Sequence, residues 1–388
     1  MTRALGPCIS GIGESAVGVV CGRSSTQLHH DALSAALADA ELTIGDIDGL
    51  ITCGSMVEKW PRHAMTVAEH FGILGNLRAA RDVALGGASG TVALVDAIAL
   101  VESGLCRNVA VVGADPQLSG LTRDRAVEVM ASFRHPEFEA PYGPLNPTCF
   151  GLLAQRHAYE HGTTHEQLAQ VAVTSRRHAA LTGRAHMMEP ITVEDVLAAK
   201  PVSSPLTMLD CSLISDGGAA LIVSAAPTNS QRAVRVAGSG IGYAHHDLIS
   251  TIRSLRPEDL GAREASTRAF TTAGISSSDI DVAALYDCFT ITPILLLESL
   301  GICKEGQGGP YVADQGIGLD SPLPVNTHGG LLSYAHSGYP SILFGVVEMV
   351  RQLRGSCGSR QVPDATTAVV HGLGGMFSVH CTVVIRGE

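Results

Sequence analysis

The run Ala40-Glu-Leu-Thr-Ile-Gly-Asp-Ile-Asp48 returns, in kind and in order, as Ala273-Gly-Ile-Ser-Ser-Ser-Asp-Ile-Asp281, 233 residues later. Self-similarity at this distance constrains the fold more than any local motif, because whatever the first copy builds the second must build again. Each copy follows an Ala-rich stretch of helical character and precedes a short apolar run. The two halves also open alike, with Ile9-Ser-Gly-Ile-Gly13 in one and Val236-Ala-Gly-Ser-Gly-Ile-Gly242 in the other.

Strand-like and helix-like segments alternate around both copies. Asp46 to Thr52 reads as a turn into a strand. Val109 to Asp115 is an apolar run suited to a strand covered on both faces. Between them, Gly90 to Gly104 has the small and aliphatic composition of a helix, with Gly104 placed to end it. Alternation of this kind predicts a layered α/β fold. The polar stretch Ala226–Arg232 is the expected joint, dividing the chain into residues 1–225 and 233–388. The segment from about 116 to 200 has no counterpart of similar length in the second half, and is expected to be an insertion that covers the site.

With 388 residues, 45% hydrophobic and only 16% charged, the chain can bury a large core, which excludes disorder. A net charge of −11 argues against a general nucleic-acid or polybasic membrane binder. The ten cysteines are scattered without a C-x-x-C pair, so neither a zinc ribbon nor a disulfide scaffold fits, and no metal site is expected. Their apolar settings suit a reducing compartment. The opening segment carries glycines and Glu14 where a signal peptide needs an unbroken apolar stretch. The best apolar run, Thr290 to Cys303, contains Pro293 and Glu298 and is too short to span a membrane. A soluble cytoplasmic protein is expected.

Four blocks carry a resemblance. They are the Gly86-Gly87-Ala88-Ser89-Gly90 turn opening a central helix, Leu206 to Gly218, Tyr286-Asp287-Cys288-Phe289, and Asn326-Thr-His-Gly-Gly-Leu-Leu-Ser333. In a duplicated α/β chain of this length they resemble the thiolase superfamily over nearly the whole sequence. The similarity is nearest to the sterol-carrier-protein-x or lipid-transfer type. The resemblance implies a five-layer α-β-α-β-α fold of two pseudo-symmetric halves, a CoA thioester as substrate with no tightly bound cofactor, and a homodimer. It also implies a small OB-fold partner bearing a zinc ribbon.

Thiolases place a nucleophilic Cys at the start of the helix after the third strand, where the helix dipole and free N–H groups favour a thiolate. Gly87 stands at that place here, and no register shift supplies a cysteine. The second motif gives Tyr286 where the family binds a thioester oxygen or a water. The third, Ala335-His336-Ser337, keeps its His. The fourth, His371-Gly-Leu-Gly374-Gly375, puts His371 where the family has an acid/base Cys.

Without a thiol to carry the acyl group, two-step thiolysis is closed. A retro-aldol cleavage needs no such carrier. It needs a base for the substrate hydroxyl, donors for an enolate oxygen and an acid for carbon. Tyr286, His336 and His371 are the candidates for those roles. In this the chain resembles thiolase-fold aldolases that cleave steroid side chains, which tend to carry a second Tyr where His336 stands. Gly87, Ser89, Asn326, Gly374 and Gly375 are the expected substrate-binding positions. Each has a plainer reading as well. His336, His371 and Tyr286 are compatible with structural roles, Ser89 with a nucleophile that lacks a base, Cys288 with core. An acyltransferase using an unusual residue, or a non-catalytic acyl-CoA-binding subunit, stays open on these residues alone.

Overall fold

A computed structural model describes residues 6–229, 231–245 and 248–388. Residues 1–5 of the opening segment, and Ser230 within the expected joint, lie outside them. The strands are β1 (Cys8–Glu14), β2 (Gly49–Thr52), β3 (Ala79–Asp82), β4 (Asn108–Pro116), β5 (Pro201–Ser203), β6 (Leu206–Thr207), β7 (Asp216–Ser224), β8 (Val234–Tyr243), β9 (Val282–Leu285), β10 (Thr367–Gly374) and β11 (Val379–Gly387). Apart from the small β5–β6 pair, they run in the order β3-β2-β4-β7-β1-β8-β11-β10-β9.

Read from the centre outward, the order repeats: β1-β7-β4-β2 on one side and β8-β11-β10-β9 on the other. The two sheets meet where Cys8 of β1 lies opposite Arg235 of β8. The fifth strand of the first sheet, β3, is reduced in the second to a single bridge between Ala283 and Val325. The helices Ser25–Asp39 and Ala262–Ala273 cover the outer faces, while Ser89–Glu102 and Ile342–Arg354 pack against each other and against strands of both halves. The result is the five-layer α-β-α-β-α architecture of the thiolase fold. The inner helices are buried over most of their length, as a layer covered on both faces requires, and Ile342–Arg354 buries Glu348 and Gln352 along with its apolar residues.

The repeated sequence block has the same task in both halves. Thr43 donates from its backbone N and Oγ1 to Asp46 Oδ2 at 2.8 and 2.7 Å, and Ser276 does the same to Asp279 at 2.8 and 2.7 Å. Asp48 then receives the backbone N–H groups of Arg107 and Asn108, fixing the start of β4. Asp281 receives those of Thr366 and Thr367, fixing the start of β10. The matching glycines are explained by close packing. A β-carbon on Gly13 would strike the carbonyl of Ala32, and one on Gly240 that of Ala265.

The halves differ in one connection. Residues 375–378 join β10 to β11, whereas residues 117–215 join β4 to β7. The long connection holds the helices Asn146–His161 and His165–Ala180. The second of these packs against Gly330–Tyr334 and, through Ser175 Oγ, against the Gly329 carbonyl at 2.5 Å. No helix among the described residues is long and apolar enough to cross a membrane.

Candidate active site

Strand β9 is parallel to β10, and Tyr286 is the first residue past its end, its backbone N–H donating to the His371 carbonyl at 3.1 Å. Asp287 follows, fully buried, and its carboxylate receives the Leu331 N–H at 2.7 Å. That bond ties the Tyr286 segment to the chain leading to His336. Burial pushes the Asp287 carboxyl up to about 7, partly offset by the N–H groups of Leu331 and Leu332.

The Tyr286 hydroxyl lies 3.1 Å from Nε2 of His336, with the two rings edge to face. Nδ1 of His336 faces the Leu213 carbonyl at 3.2 Å and Ser212 Oγ at 3.0 Å. A carbonyl only accepts, so Nδ1 carries the hydrogen and Nε2 presents its lone pair to the phenol. Tyr286 is buried, and desolvation raises its pKa well above 10. His336 keeps part of its surface open, but the packing around it pushes its pKa down to about 4. Both groups are neutral near pH 7: a phenol donor aimed at an imidazole acceptor.

Gly87 is where the phenol finds its room. A β-carbon there would fall closer than 3.0 Å to Cζ, Cε2 and Oη of Tyr286. The Tyr286 ring therefore fills the space a side chain at position 87 would occupy. The turn is held from within. Leu85 N–H donates to Ser89 Oγ at 2.9 Å, and Ser89 Oγ donates to the Gly86 carbonyl at 2.6 Å. Ser89 is wholly buried in that cap. Gly374 and Gly375 press on the same turn from the other half, leaving no room for side chains: a β-carbon on Gly86 would lie 3.0 Å from Gly374 Cα and Gly375 N.

The remaining expected residues lie elsewhere. Asn326 sits at φ 52° with Oδ1 receiving the Leu285 N–H and Nδ2 donating to the Leu285 carbonyl, each at 2.9 Å. It replaces a missing strand neighbour of β9, and these bonds occupy its amide. His371 is in register with Leu285, one residue before Tyr286. Successive residues of a strand face opposite sides, so its ring points away from the phenol. There Nδ1 meets Thr382 Oγ1 at 2.9 Å and Nε2 meets His380 Nδ1 at 3.0 Å. Burial holds its pKa well below 6.5. The structure thus joins Tyr286, His336 and Gly87 and separates His371 from them, with Gly372 facing the site instead. Ser212 and the Leu213 carbonyl, which set the tautomer of His336, were not singled out by sequence. Their signal was the Leu206–Gly218 block itself, whose polar residues had no assigned partner.

Models of two domains match the chain, "Thiolase, N-terminal domain" over residues 10–189 and "Thiolase C-terminal domain-like" over residues 242–387. The chain belongs to the thiolase superfamily. It is 32% identical over 377 residues to an acetyl-CoA acetyltransferase of Methanothermobacter thermautotrophicus, covering 95% of this chain and 96% of that one. It is also 32% identical over 381 residues to the steroid side-chain-cleaving aldolase of Thermomonospora curvata, covering 93% of each. Among solved structures, the Ltp2-ChsH2(DUF35) aldolase superposes with a TM-score of 0.84 at 29% identity, covering 98% of both chains. Overall identity to lyase and acetyltransferase is thus equal, and the site has to discriminate between them.

Proposed function

We propose that this thiolase-superfamily chain is a carbon–carbon lyase that cleaves a 3-hydroxyacyl-CoA by a retro-aldol reaction. One observation carries the reading: the Tyr286 ring occupies the place of a side chain at position 87. Position 87 offers no side chain to hold an acyl group covalently, and a neutral phenol–imidazole pair stands in its stead. Similarity to a steroid side-chain-cleaving aldolase and to a 17-hydroxy-3-oxo-4-pregnene-20-carboxyl-CoA lyase of Mycobacterium tuberculosis, 31% identical over 361 residues, supports it. A bulky acyl chain of steroid type fits these relatives.

The residues divide the work as follows. The substrate hydroxyl gives its proton to Nε2 of His336 as the Cα–Cβ bond breaks. The hydroxyl carbon becomes the carbonyl of the leaving ketone or aldehyde, and the bond's electron pair passes to Cα and the thioester oxygen. The Tyr286 phenol donates to the developing enolate and delivers a proton to Cα. The imidazolium then returns a proton to the phenolate. One proton leaves oxygen and one arrives on carbon, so the enzyme ends as it began.

The similarity to acetyl-CoA acetyltransferases favours a second reading, acyl transfer. Incubation with a panel of 3-hydroxyacyl-CoA and 3-ketoacyl-CoA esters, with products identified by mass, decides between them. Ketone or aldehyde release without added CoA is expected. CoA-dependent shortening, or a stable acyl adduct on Ser89 or Cys288, would replace the lyase by an acyltransferase.

CoA enters as part of the substrate. The chain is read as a homodimer, supported by the exposed β3 at the sheet edge. A small OB-fold zinc-ribbon subunit is proposed as its partner, supported by likeness to an aldolase whose name couples Ltp2 with ChsH2(DUF35). Of the aromatic residues in the insertion, Phe138, Tyr142 and Tyr159 are exposed and available to such a partner. Phe150 instead stacks on Phe289 at 4.4 Å, and Phe133 meets Tyr339 at 6.4 Å. Ten unpaired cysteines suit a cytoplasmic location.

A further inference from the structure

The capping turn of the repeated block occurs a third time, at Met208–Asp210, in the loop that leads to β7. Thr207 donates its backbone N–H to Asp210 Oδ2 at 2.8 Å, as Thr43 does to Asp46 and Ser276 to Asp279. Those two aspartates are exposed, whereas Asp210 is wholly buried. An ionised carboxylate so placed is costly unless donors surround it. A cap alone needs neither the burial nor the second oxygen.

The second oxygen leads to the site. Asp210 Oδ1 receives the Thr290 hydroxyl at 2.8 Å, and the Asp210 carbonyl receives the Thr290 N–H at 3.0 Å. Thr290 lies at the far end of the segment that begins with Tyr286. Beside this double link, Cys211 bridges to Phe289, and the Ser212 N–H donates to the Cys288 carbonyl at 2.9 Å. The loop then presents Ser212 Oγ and the Leu213 carbonyl, the two groups that face Nδ1 of His336. The strip behind the imidazole is thus fixed against the strip that carries the phenol. Asp210 Oδ2 also meets Nε2 of His165 at 2.7 Å. His165 opens the helix His165–Ala180 and is the one basic side chain paired with Asp210 among the described residues.

We propose that Asp210 is a positioning residue for the Tyr286–His336 pair: it locks the loop bearing Ser212 and Leu213 to the segment bearing Tyr286, and so keeps the imidazole in the tautomer that receives the phenol's hydrogen. Wholly buried, it acts through Thr290 and the loop. The loss of turnover expected on breaking the lock rests on the retro-aldol reading, whereas the orientation of the ring does not.

That orientation is read without turnover, from two-bond ¹H–¹⁵N correlations of protein labelled with ¹⁵N-histidine, His336 being the signal that His336→Gln removes. The parent should show His336 with its hydrogen on Nδ1. Thr290→Val keeps the shape of the side chain and removes the hydroxyl, and Asp210→Ala removes the carboxylate. Both should lose the single Nδ1–H pattern. Their kcat should fall about 10- to 100-fold, as a small displacement of reacting groups allows, with KM within about threefold of the parent. Thr290→Ser, which retains the hydroxyl, should keep the tautomer and most of kcat. If Asp210→Ala does not fold, Thr290→Val decides. Folded variants that keep both the Nδ1–H tautomer and kcat, however far their unfolding midpoints fall, would overturn the assignment. Loss of the tautomer as expected, in a protein whose parent cleaves no 3-hydroxyacyl-CoA, would sink the lyase reading and leave the positioning role standing.

Discussion

The Tyr286 hydroxyl donates to Nε2 of His336 across 3.1 Å, and the Leu213 carbonyl behind Nδ1 fixes that direction. The imidazole is therefore the proton acceptor of the pair and the phenol its donor. Tyr286→Phe removes the donor and keeps the ring that fills the space at Gly87. Turnover should fall by roughly 10²–10⁴ with the unfolding midpoint nearly unchanged. Turnover within a few-fold of the parent would return Tyr286 to a packing role.

Gly87 and Tyr286 compete for one volume, so their substitutions should be coupled. Gly87→Cys alone should destabilise the fold by about 1–3 kcal/mol through overpacking and should not create thiolysis. In a Tyr286→Ala background the same change should cost less, giving an interaction energy of about 0.5–3 kcal/mol. Urea unfolding of the four proteins measures it. Strict additivity would show that the ring does not sit where the structure places it.

His371 lies on the far face of β10, bound to Thr382 and His380. His371→Gln should keep kcat within about threefold while costing roughly 1–3 kcal/mol of stability from the buried pair it disrupts. Loss of kcat comparable with that of Tyr286→Phe, at unchanged stability, would put His371 back among the catalytic groups.

Acid should weaken the fold in a defined window. Burial lowers the pKa of eight histidines, among them His336 and His328 to about 4 and His29 and His380 to about 3. Unfolded, each returns to about 6.5 and takes up a proton. Their stabilisation is complete above pH 6.5 and is lost as pH falls towards 4 and below. Asp115 and Asp287, raised to about 7, and His165, raised by Asp210, act in the opposite sense but are fewer. The urea midpoint should therefore fall between pH 6.5 and 4, with net proton uptake on unfolding. A midpoint flat or rising across that interval would contradict the buried neutral histidines.

The fold was legible because its information is local and stated twice. Asp48 and Asp281 hold the starts of equivalent strands, and the glycines of β1 and β8 admit equivalent helices, so the repeat in sequence is a repeat in contacts. The grouping of the site was legible at Gly87, Tyr286 and His336, three motif positions that the structure brings together. It failed at His371 because a motif match fixes a place along a strand, and one residue of offset reverses the face. It failed at Asn326 because an amide that pairs with backbone looks the same in sequence as one that binds substrate. The tautomer of His336 depends on Leu213, a backbone group that no side-chain pattern announces.

Pro116 and Asp216, the last residue before the long connection and the first after it, are register partners on neighbouring strands. Asp216 also gathers the N–H groups of Leu118 and Ser119 at 2.8 and 2.9 Å, and that of Val20 at 2.8 Å. The hundred or so residues above this clasp thus enter and leave through one doorway, fastened by its own hinge post. Such a segment is a cassette. Its outer part can lengthen or shorten while the clasp keeps the register of β4 and β7, but Ser212 and Leu213 near its end hold His336, so a change there reaches the site itself.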